Sequence, residues 1–319
     1  MTASIKFENV CKKYRRRLAL DSVSFEVPKG SVFALLGDNG AGKTTSIKSM
    51  LGFVRPDSGN ISVLGLNPRN QDQQIRSLIG YVPEQPELYD WMRVDEIGWF
   101  VAGVREGDFY AHYKRQMEEF GVPLTNRISE LSKGMKAKVS LALATSHQPE
   151  VLILDEPTSG LDPLVRREFM ESMVDRAAAG GTVFLSSHQL NEVERVADYV
   201  AVLREGQLLF VERLSDLKEK TAELTVTYSS EMMPPVSLAA TTIHYRSQGR
   251  QQRILIRDFK SEQEVVAEAQ SHEGVDAVRF VNPSLEEIFV GYLSEEPTTK
   301  DTREVIDSRQ ASATTETTS

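Results

Sequence analysis

A glycine-rich loop that ends in a lysine and a threonine has the most direct chemical consequence in this sequence. Residues 37–44, GDNGAGKT, match the phosphate-loop pattern G-x-x-x-x-G-K-[ST]. The glycines allow backbone N–H groups to turn inward around phosphate oxygens. Lys43 supplies a positive charge for the β- and γ-phosphates of a nucleotide, and Thr44 offers a hydroxyl to Mg²⁺. The nucleotide-binding residues predicted here are Gly37, Asn39, Gly40, Ala41, Gly42, Lys43, Thr44 and Thr45.

Two carboxylates follow a second apolar segment, residues 151–154. Asp155 is placed to hold the hydration shell of Mg²⁺, and Glu156 is then the candidate for polarising an attacking water. Two acids at the end of a strand can instead cap the next helix. The phosphate loop upstream favours the catalytic interpretation over that one.

The elements that must position these residues are predicted from apolar runs and turn signals. Strands are predicted at 5–10 and 22–36, and the second ends in the apolar run 32–36 that enters the glycine loop. A helix from 43 to about 51 follows, and strand, glycine loop and helix in this order form the context that a phosphate loop requires. Further strands are predicted at 61–64, 79–82, 151–155 and 182–186, helices at 163–179 and 189–196, and a hairpin at 204–207.

The segment 131–135, LSKGM, opens a predicted helix just before the acidic strand. Taken alone, Ser132 is typical of an ordinary helix N-cap. A phosphate loop, an LSxG helix start and an acidic strand end in this order resemble the ATP-binding cassette of ABC transporters. In that family the serine hydroxyl and a glycine N–H contact the γ-phosphate held by the partner subunit, which implies this role for Ser132 and Gly134. Lys133 and Met135 depart from the commoner wording LSGGQ.

The resemblance continues at three further places and implies a role for each. Residues 159–162, SGLD, look like the D-loop at the dimer interface, so Asp162 is a predicted nucleotide-site residue. His188 looks like the switch histidine that contacts the γ-phosphate, although a histidine after a buried strand is more often structural. Tyr14 stands where the family stacks an aromatic ring on adenine. The alternative for Tyr14 is an exposed tyrosine in a solvated basic turn, residues 12–17.

One position departs from the family pattern. The glutamine of the Q-loop usually follows Tyr-Val-Pro, but here that position is Glu84 and the glutamine comes next, at Gln85. Either Glu84 binds Mg²⁺ or its water with a carboxylate, or a local shift presents Gln85. Both remain candidate metal-site residues.

Composition limits the function classes. The chain has 319 residues and a net charge of −9, which disfavours nucleic acid as a partner because a basic surface normally supplies that affinity. A single cysteine, Cys11, fits a reducing cytosol. We find no signal-peptide core and no apolar stretch near the ~18 residues that a membrane helix needs. These features predict a cytoplasmic protein. The resemblance implies that it is bound to the inner face of the membrane through a separate permease.

The expected fold is α/β, a P-loop NTPase of the ABC cassette type. The resemblance implies a RecA-like core with an antiparallel β subdomain and an α-helical subdomain, followed by a small α+β accessory domain. The resemblance implies that the accessory domain regulates the cassette or helps it to dimerise, and the alternative is a passive stabiliser. Its predicted elements are a strand with alternating apolar residues at 224–228, strands at 253–257 and 275–281, and helices at 261–271 and 284–293. The predicted domains are the cassette at 1–218 with helices at about 87–148, the accessory domain at 222–293, and a disordered tail at 294–319.

The resemblance implies an ATP-hydrolysing transporter subunit that uses ATP and Mg²⁺ and forms a homodimer around the nucleotide. The wording of LSKGM, ILDEPTSGLDP and PSLEEIFVGYL looks most like export-type members, such as multidrug, antibiotic or sodium efflux systems. The aromatic-rich segment 89–120 is the expected face toward the permease, with contact candidates limited to residues 84–91. The alternatives are an importer subunit and a soluble cassette protein that acts on the ribosome.

Overall fold

The computed structural model describes residues 3–105, 107–231 and 234–294. The chain divides into two compact units between Arg213 and Leu214, a few residues before the predicted boundary at 218–222. Apart from Ser294, the tail predicted to be disordered lies outside the described residues. No helix in the described part of the chain is both long and apolar enough to span a membrane.

Two sheets form the framework of the first unit. A six-stranded sheet has the order β5-β6-β7-β3-β8-β9 and is parallel except for β9, and an antiparallel sheet has the order β2-β1-β4. The strands are β1 (Ala3–Tyr14), β2 (Arg17–Pro28), β3 (Val32–Leu36), β4 (Ser58–Val63), β5 (Ile79–Val82), β6 (Val151–Asp155), β7 (Thr182–Ser187), β8 (Tyr199–Arg204) and β9 (Gln207–Arg213).

The core of this unit lies between the two sheets. Strands β3 and β6 are buried along their whole length, which is why both read as continuous apolar runs rather than alternating ones. A column of phenylalanine rings connects the sheets: Phe7 stacks on Phe25 at 4.4 Å, and Phe25 lies 5.5 Å from Phe33. This packing fixes β3, and with it the start of the glycine loop, relative to β1 and β2.

The predicted single strand at 22–36 is wrong, because two strands from different sheets occupy that range. Strand β2 ends at Pro28, which lacks a backbone N–H, and Gly30 turns the chain with a φ of 74°. Strand β3 then begins at Val32 in the parallel sheet.

Helices surround the six-stranded sheet and also form a separate layer. In that layer α3, α4 and α5 bury a common cluster that contains Phe109, Tyr113 and Val139. The described helices of this unit are α1 (Lys43–Met50), α2 (Asp72–Leu78), α3 (Val94–Ala102), α4 (Phe109–Glu119), α5 (Lys133–Thr145), α6 (Pro163–Ala178) and α7 (Leu190–Val196), and a 3₁₀ turn lies at Ile128–Glu130. In the sequence, α3 and α4 lie between the glycine loop and the segment LSKGM. Helix α5 begins within LSKGM, at Lys133.

The second unit is a four-stranded antiparallel sheet with helices, in the strand order β11-β12-β10-β13. Its core includes Leu224, Ile254 and Val265. The elements are α8 (Leu214–Lys220), β10 (Thr221–Tyr228), β11 (Thr241–Gln248), β12 (Gln251–Arg257), α9 (Glu262–Gln270), β13 (Val275–Val281) and α10 (Leu285–Leu293). Ser284 caps α10 as predicted, by accepting a hydrogen bond from the Glu287 N–H.

Candidate functional site

The glycine loop connects β3 to α1 and wraps the N-terminal end of that helix. Gly42 precedes the helix with a φ of 118°, and a Cβ at this position would lie 2.5 Å from the carbonyl oxygen of Ala19. Only glycine therefore fits this close approach to β2. The positive end of α1 makes the loop suited to an anion.

Lys43 is the main cation of the loop. Its side chain is only 6% exposed, and its Nζ donates to the Gly37 carbonyl at 2.5 Å. The same Nζ lies 3.0 Å from Oε1 of Glu156. The lysine that the motif predicts for phosphate binding thus lies beside the carboxylate that the acidic strand predicts for catalysis.

Glu156 brings the phosphate loop and the switch histidine together. Its backbone has a φ of 47°, which turns the chain sharply after β6. The second carboxylate oxygen, Oε2, lies 2.8 Å from Nδ1 of His188 and accepts the His188 backbone N–H at 3.3 Å. His188 is half-exposed, whereas Glu156 is buried.

Asp155 is held by two hydroxyl groups. Ser186, buried at the end of β7, donates to Asp155 Oδ1 at 2.6 Å, and Thr44 donates to the same oxygen at 3.4 Å. The Ser186 hydroxyl also accepts the backbone N–H of Glu156 at 3.1 Å. Sequence reasoning missed Ser186, although a small polar residue closing an otherwise apolar strand is a signal that could have found it.

The donors near Asp155 fit a magnesium ion that is held partly by a substrate. A threonine hydroxyl and a carboxylate are hard oxygen ligands, which Mg²⁺ prefers. Residues 3–105, 107–231 and 234–294 contain no cluster of three or more acidic, histidine or cysteine side chains that could hold a metal.

A cavity of about 360 Å³ gathers most of the predicted site residues. Its lining residues from the prediction are Tyr14, Asn39, Gly40, Gly42, Lys43, Thr44, Thr45, Glu84, Glu156 and His188. Gly37, Ala41 and Asp155 belong to the same loop and strand end but are not part of the lining. Arg17 and Ser159 line the cavity as well and were not predicted.

The structure separates the two candidates for the Q-loop position. Both side chains are exposed, but Glu84 lines the cavity and Gln85 does not. Glu84 follows β5, whose neighbour in the sheet is the acidic strand β6. The geometry therefore favours Glu84 as the residue that faces the bound group.

The segment LSKGM and Asp162 lie outside the cavity of their own chain. Ser132 caps α5 by accepting the Met135 N–H at 3.2 Å, and Asp162 caps α6 by accepting the Leu164 and Val165 N–H groups. The two helix starts are neighbours, because a Cβ on Gly134 would meet Val165 at 3.0 Å. Neither helix start lines the cavity around the phosphate loop of the same chain.

Comparisons with known proteins agree with this geometry. The family model described as ABC transporter matches residues 20–159. The bacitracin transport ATP-binding protein BcrA of Enterococcus faecalis is 34% identical over 69% of this chain and 73% of its own. The Nod factor export ATP-binding protein I of Burkholderia pseudomallei is 36% identical over 64% of this chain and 69% of its own.

A solved structure of an ATP-binding subunit of an ABC transporter is 32% identical and superposes with a TM-score of 0.63. The match covers 68% of this chain and 92% of that one. The predicted fold class, a P-loop NTPase cassette with mixed α/β sheets, is confirmed. The chain belongs to the family of ABC transporter ATP-binding proteins, the ATP-hydrolysing subunits of these transporters.

Proposed function

We propose that this chain binds ATP with Mg²⁺ in the cavity around Lys43 and hydrolyses it to power export through a separate membrane permease. The observation that carries the proposal is the contact of three predicted residues from distant parts of the chain. Glu156 lies within 3.0 Å of both Lys43 and His188. A phosphate-loop lysine, an acid and a histidine in one cluster suit cleavage of a terminal phosphate.

Each residue of the cluster has a defined task in this reaction. Lys43 and the loop N–H groups bind the β- and γ-phosphates, which places the terminal phosphorus near Glu156. The Glu156 carboxylate orients and polarises the attacking water, and His188 holds that carboxylate and contacts the γ-phosphate. Thr44, Asp155 and Glu84 would hold Mg²⁺, which neutralises charge on the phosphates when it is bound.

We further propose that two copies face head to tail around the nucleotides. Ser132 and Gly134 lie at the start of α5, outside the cavity of their own chain, and in this arrangement they contact the γ-phosphate held by a second copy. Asp162 lies beside them at the neighbouring helix start. Both halves of the site are present in this chain, which supports a homodimer. Closure on ATP and opening after hydrolysis are the mechanical output.

Export rather than import is supported by a relative whose name refers to Nod factor export. The partner permease contributes the membrane passage, and the chain is peripheral to the inner face of the cell membrane. Three exposed aromatic residues, Tyr89, Trp91 and Phe100, form what we call the aromatic patch. The ring centroids of Trp91 and Phe100 each lie 6.1 Å from that of Tyr89. Large exposed aromatics suit a protein contact, so the aromatic patch is the proposed permease contact.

The test is the oligomeric state of the Glu156→Gln variant, measured by light scattering with ATP and Mg²⁺. Removing the carboxylate stops hydrolysis while Lys43 still binds phosphate, so we expect an ATP-dependent dimer. The same variant with Ser132→Phe should remain monomeric, because the bulky ring blocks the second half of the site. The shared site is contradicted if the Glu156→Gln protein binds ATP but two copies do not associate, either in solution or on the permease.

A further inference from the structure

Arg17 contacts the phosphate loop from outside the motif. It begins β2, directly across the hairpin from Tyr14, and it lines the same cavity as Tyr14 and Lys43. Its Nη2 donates to the Gly40 carbonyl oxygen at 2.5 Å. Of the three consecutive arginines in the hairpin, Arg15 and Arg16 are not part of the cavity lining.

The guanidinium of Arg17 lies closely against Gly40. Gly40 has a φ of 84°, and a Cβ there would lie 2.6 Å from Nη2 and 3.2 Å from Nη1 of Arg17. A guanidinium has five N–H donors, and the carbonyl accepts from only one nitrogen here. Several donors are therefore held beside the loop that is predicted to cradle phosphates.

Arg17 also differs from Lys43 in whether its positive charge is paired with a carboxylate. Lys43 lies 3.0 Å from the Glu156 carboxylate. In the part of the chain that the structure describes, Arg17 has no carboxylate within ion-pair distance. A cation without a carboxylate partner, held at an anion-binding loop, matches the charge of a nucleotide's phosphates.

We propose that Arg17 is a nucleotide-binding residue that pairs with the β-phosphate oxygens of a nucleoside di- or triphosphate. This inference rests on the proposed function, since it assumes that the phosphate loop holds the nucleotide. The planar fork of arginine matches two phosphate oxygens, and Arg17 can keep its contact with Gly40 while donating from its other nitrogens. The residue adds recognition of the β-phosphate to the recognition of adenine that is predicted for Tyr14.

The experiment compares AMP, ADP and a non-hydrolysable ATP analogue by isothermal titration calorimetry. We expect Arg17→Ala to weaken ADP and the ATP analogue about tenfold, as for loss of a charge-assisted hydrogen bond, and to leave AMP unchanged. Arg17→Lys should lose less because it keeps the charge. Arg15→Ala is the matched control, a cation removed from the same hairpin but outside the cavity, and should bind all three like the wild type.

Two results overturn the inference. Unchanged binding of ADP and the ATP analogue to Arg17→Ala shows that the arginine does not touch phosphate. An equal loss for all three nucleotides, with a lower melting temperature, shows that it only braces the loop. If the wild type binds no nucleotide, or Lys43→Ala does not weaken binding, the proposed function fails and this inference fails with it. If the wild type binds nucleotide and this binding depends on Lys43, the proposed function stands. The Arg17 variants then test this inference alone.

Discussion

The acid pair of the site depends on a residue that carries no charge. Ser186 donates to Asp155 and accepts from the backbone of Glu156, and it is fully buried. Ser186 does not itself line the cavity, so it acts by holding the two acids in place. Residues with this function matter because a displacement of about 1 Å in a catalytic group can lower a rate by about 100-fold.

We therefore predict that Ser186→Ala lowers the turnover number for ATP by about 10- to 100-fold, as is typical for loss of a supporting hydrogen bond at a metal site. The Mg²⁺ concentration for half-maximal activity should rise, because Asp155 loses its shortest hydrogen bond. Steady-state ATPase assays across a Mg²⁺ titration measure both effects.

The matched controls for Ser186 are on the same strand. Ser187→Ala removes a neighbouring hydroxyl that accepts only the Gln189 N–H in the structure, so it should change activity little. Ser186→Thr keeps the hydroxyl and should recover part of the rate. An unaltered Mg²⁺ dependence in Ser186→Ala would argue against the positioning role.

For single residues, the sequence predicts roles that depend on neighbours along the chain. It misses roles that depend on contacts between distant elements. Lys43, Asp155 and Glu156 follow from short motifs, since each role is defined by neighbours along the chain. Ser186 and Arg17 escape prediction because their partners lie 31 and 23 residues away in sequence. Likewise, the choice between Glu84 and Gln85 depends on which side chain faces the cavity.

Among the helices, the packing of α3 on α4 leaves no room for a methyl group at Gly98. A Cβ on Gly98 would lie 2.1 Å from the Tyr113 ring, which is itself fully buried and donates to the Val94 carbonyl at 2.8 Å. We predict that Gly98→Ala lowers the free energy of unfolding by about 1–3 kcal/mol through overpacking, despite the better helix propensity of alanine. Urea denaturation followed by circular dichroism measures the change.

Gly103→Ala is the control for this prediction. Gly103 ends α3 with a φ of −64°, and the nearest atom to a Cβ there is the Phe100 carbonyl oxygen at 3.3 Å. This substitution should alter the free energy of unfolding much less than Gly98→Ala. Equal stability of the two variants would show that Tyr113 moves aside without loss.

His147, just after α5, makes the stability of the first unit depend on pH. Burial, followed by the nearby charge of Arg105, lowers the pKa of His147 to about 4, from 6.5 in an unfolded chain. Its ring nitrogen Nε2 lies 2.9 Å from the Ile79 carbonyl oxygen. Because the unfolded chain binds this proton at higher pH than the folded chain, stability falls as pH is lowered from 6.5 to 4.

We predict that His147→Gln weakens this pH dependence while keeping an N–H donor for Ile79. Melting temperatures measured from pH 7 to pH 4 should converge for wild type and variant as acid destabilises the wild type. His272→Gln, in the second unit, serves as the control and should follow the wild type. A variant that loses stability in acid as steeply as the wild type would exclude His147 as the cause.

The elements themselves were predictable where burial produces a clear pattern. Strand β3 and residues 151–154 of β6 are continuous apolar runs because both faces of these strands are covered, and this pattern is visible in the sequence. By contrast, β11 is an edge strand that is mostly half-buried or exposed, so it lacks the alternation that would predict it. The break at residues 28–32 was missed because apolar residues continue on both sides of the turn.

For the molecule as a whole, the distribution of exposed aromatic residues points to a partner. Trp91 is 66% exposed, yet it keeps ring contact with Tyr89. None of the three residues of the aromatic patch lines the nucleotide cavity. A substitution in the aromatic patch should therefore separate partner binding from ATP chemistry.

We predict that Trp91→Ser reduces co-purification with the permease from detergent-solubilised membranes, while the ATPase activity of the isolated chain stays unchanged. Loss of a large aromatic anchor from a protein interface typically weakens binding by about 2 kcal/mol or more, roughly 30-fold. Val174→Ser, on α6, removes an exposed apolar side chain elsewhere and should retain the permease. If Trp91→Ser retains the permease as well as Val174→Ser does, the contact lies elsewhere on the cassette. If both lose it, the contact is spread over a surface larger than the aromatic patch.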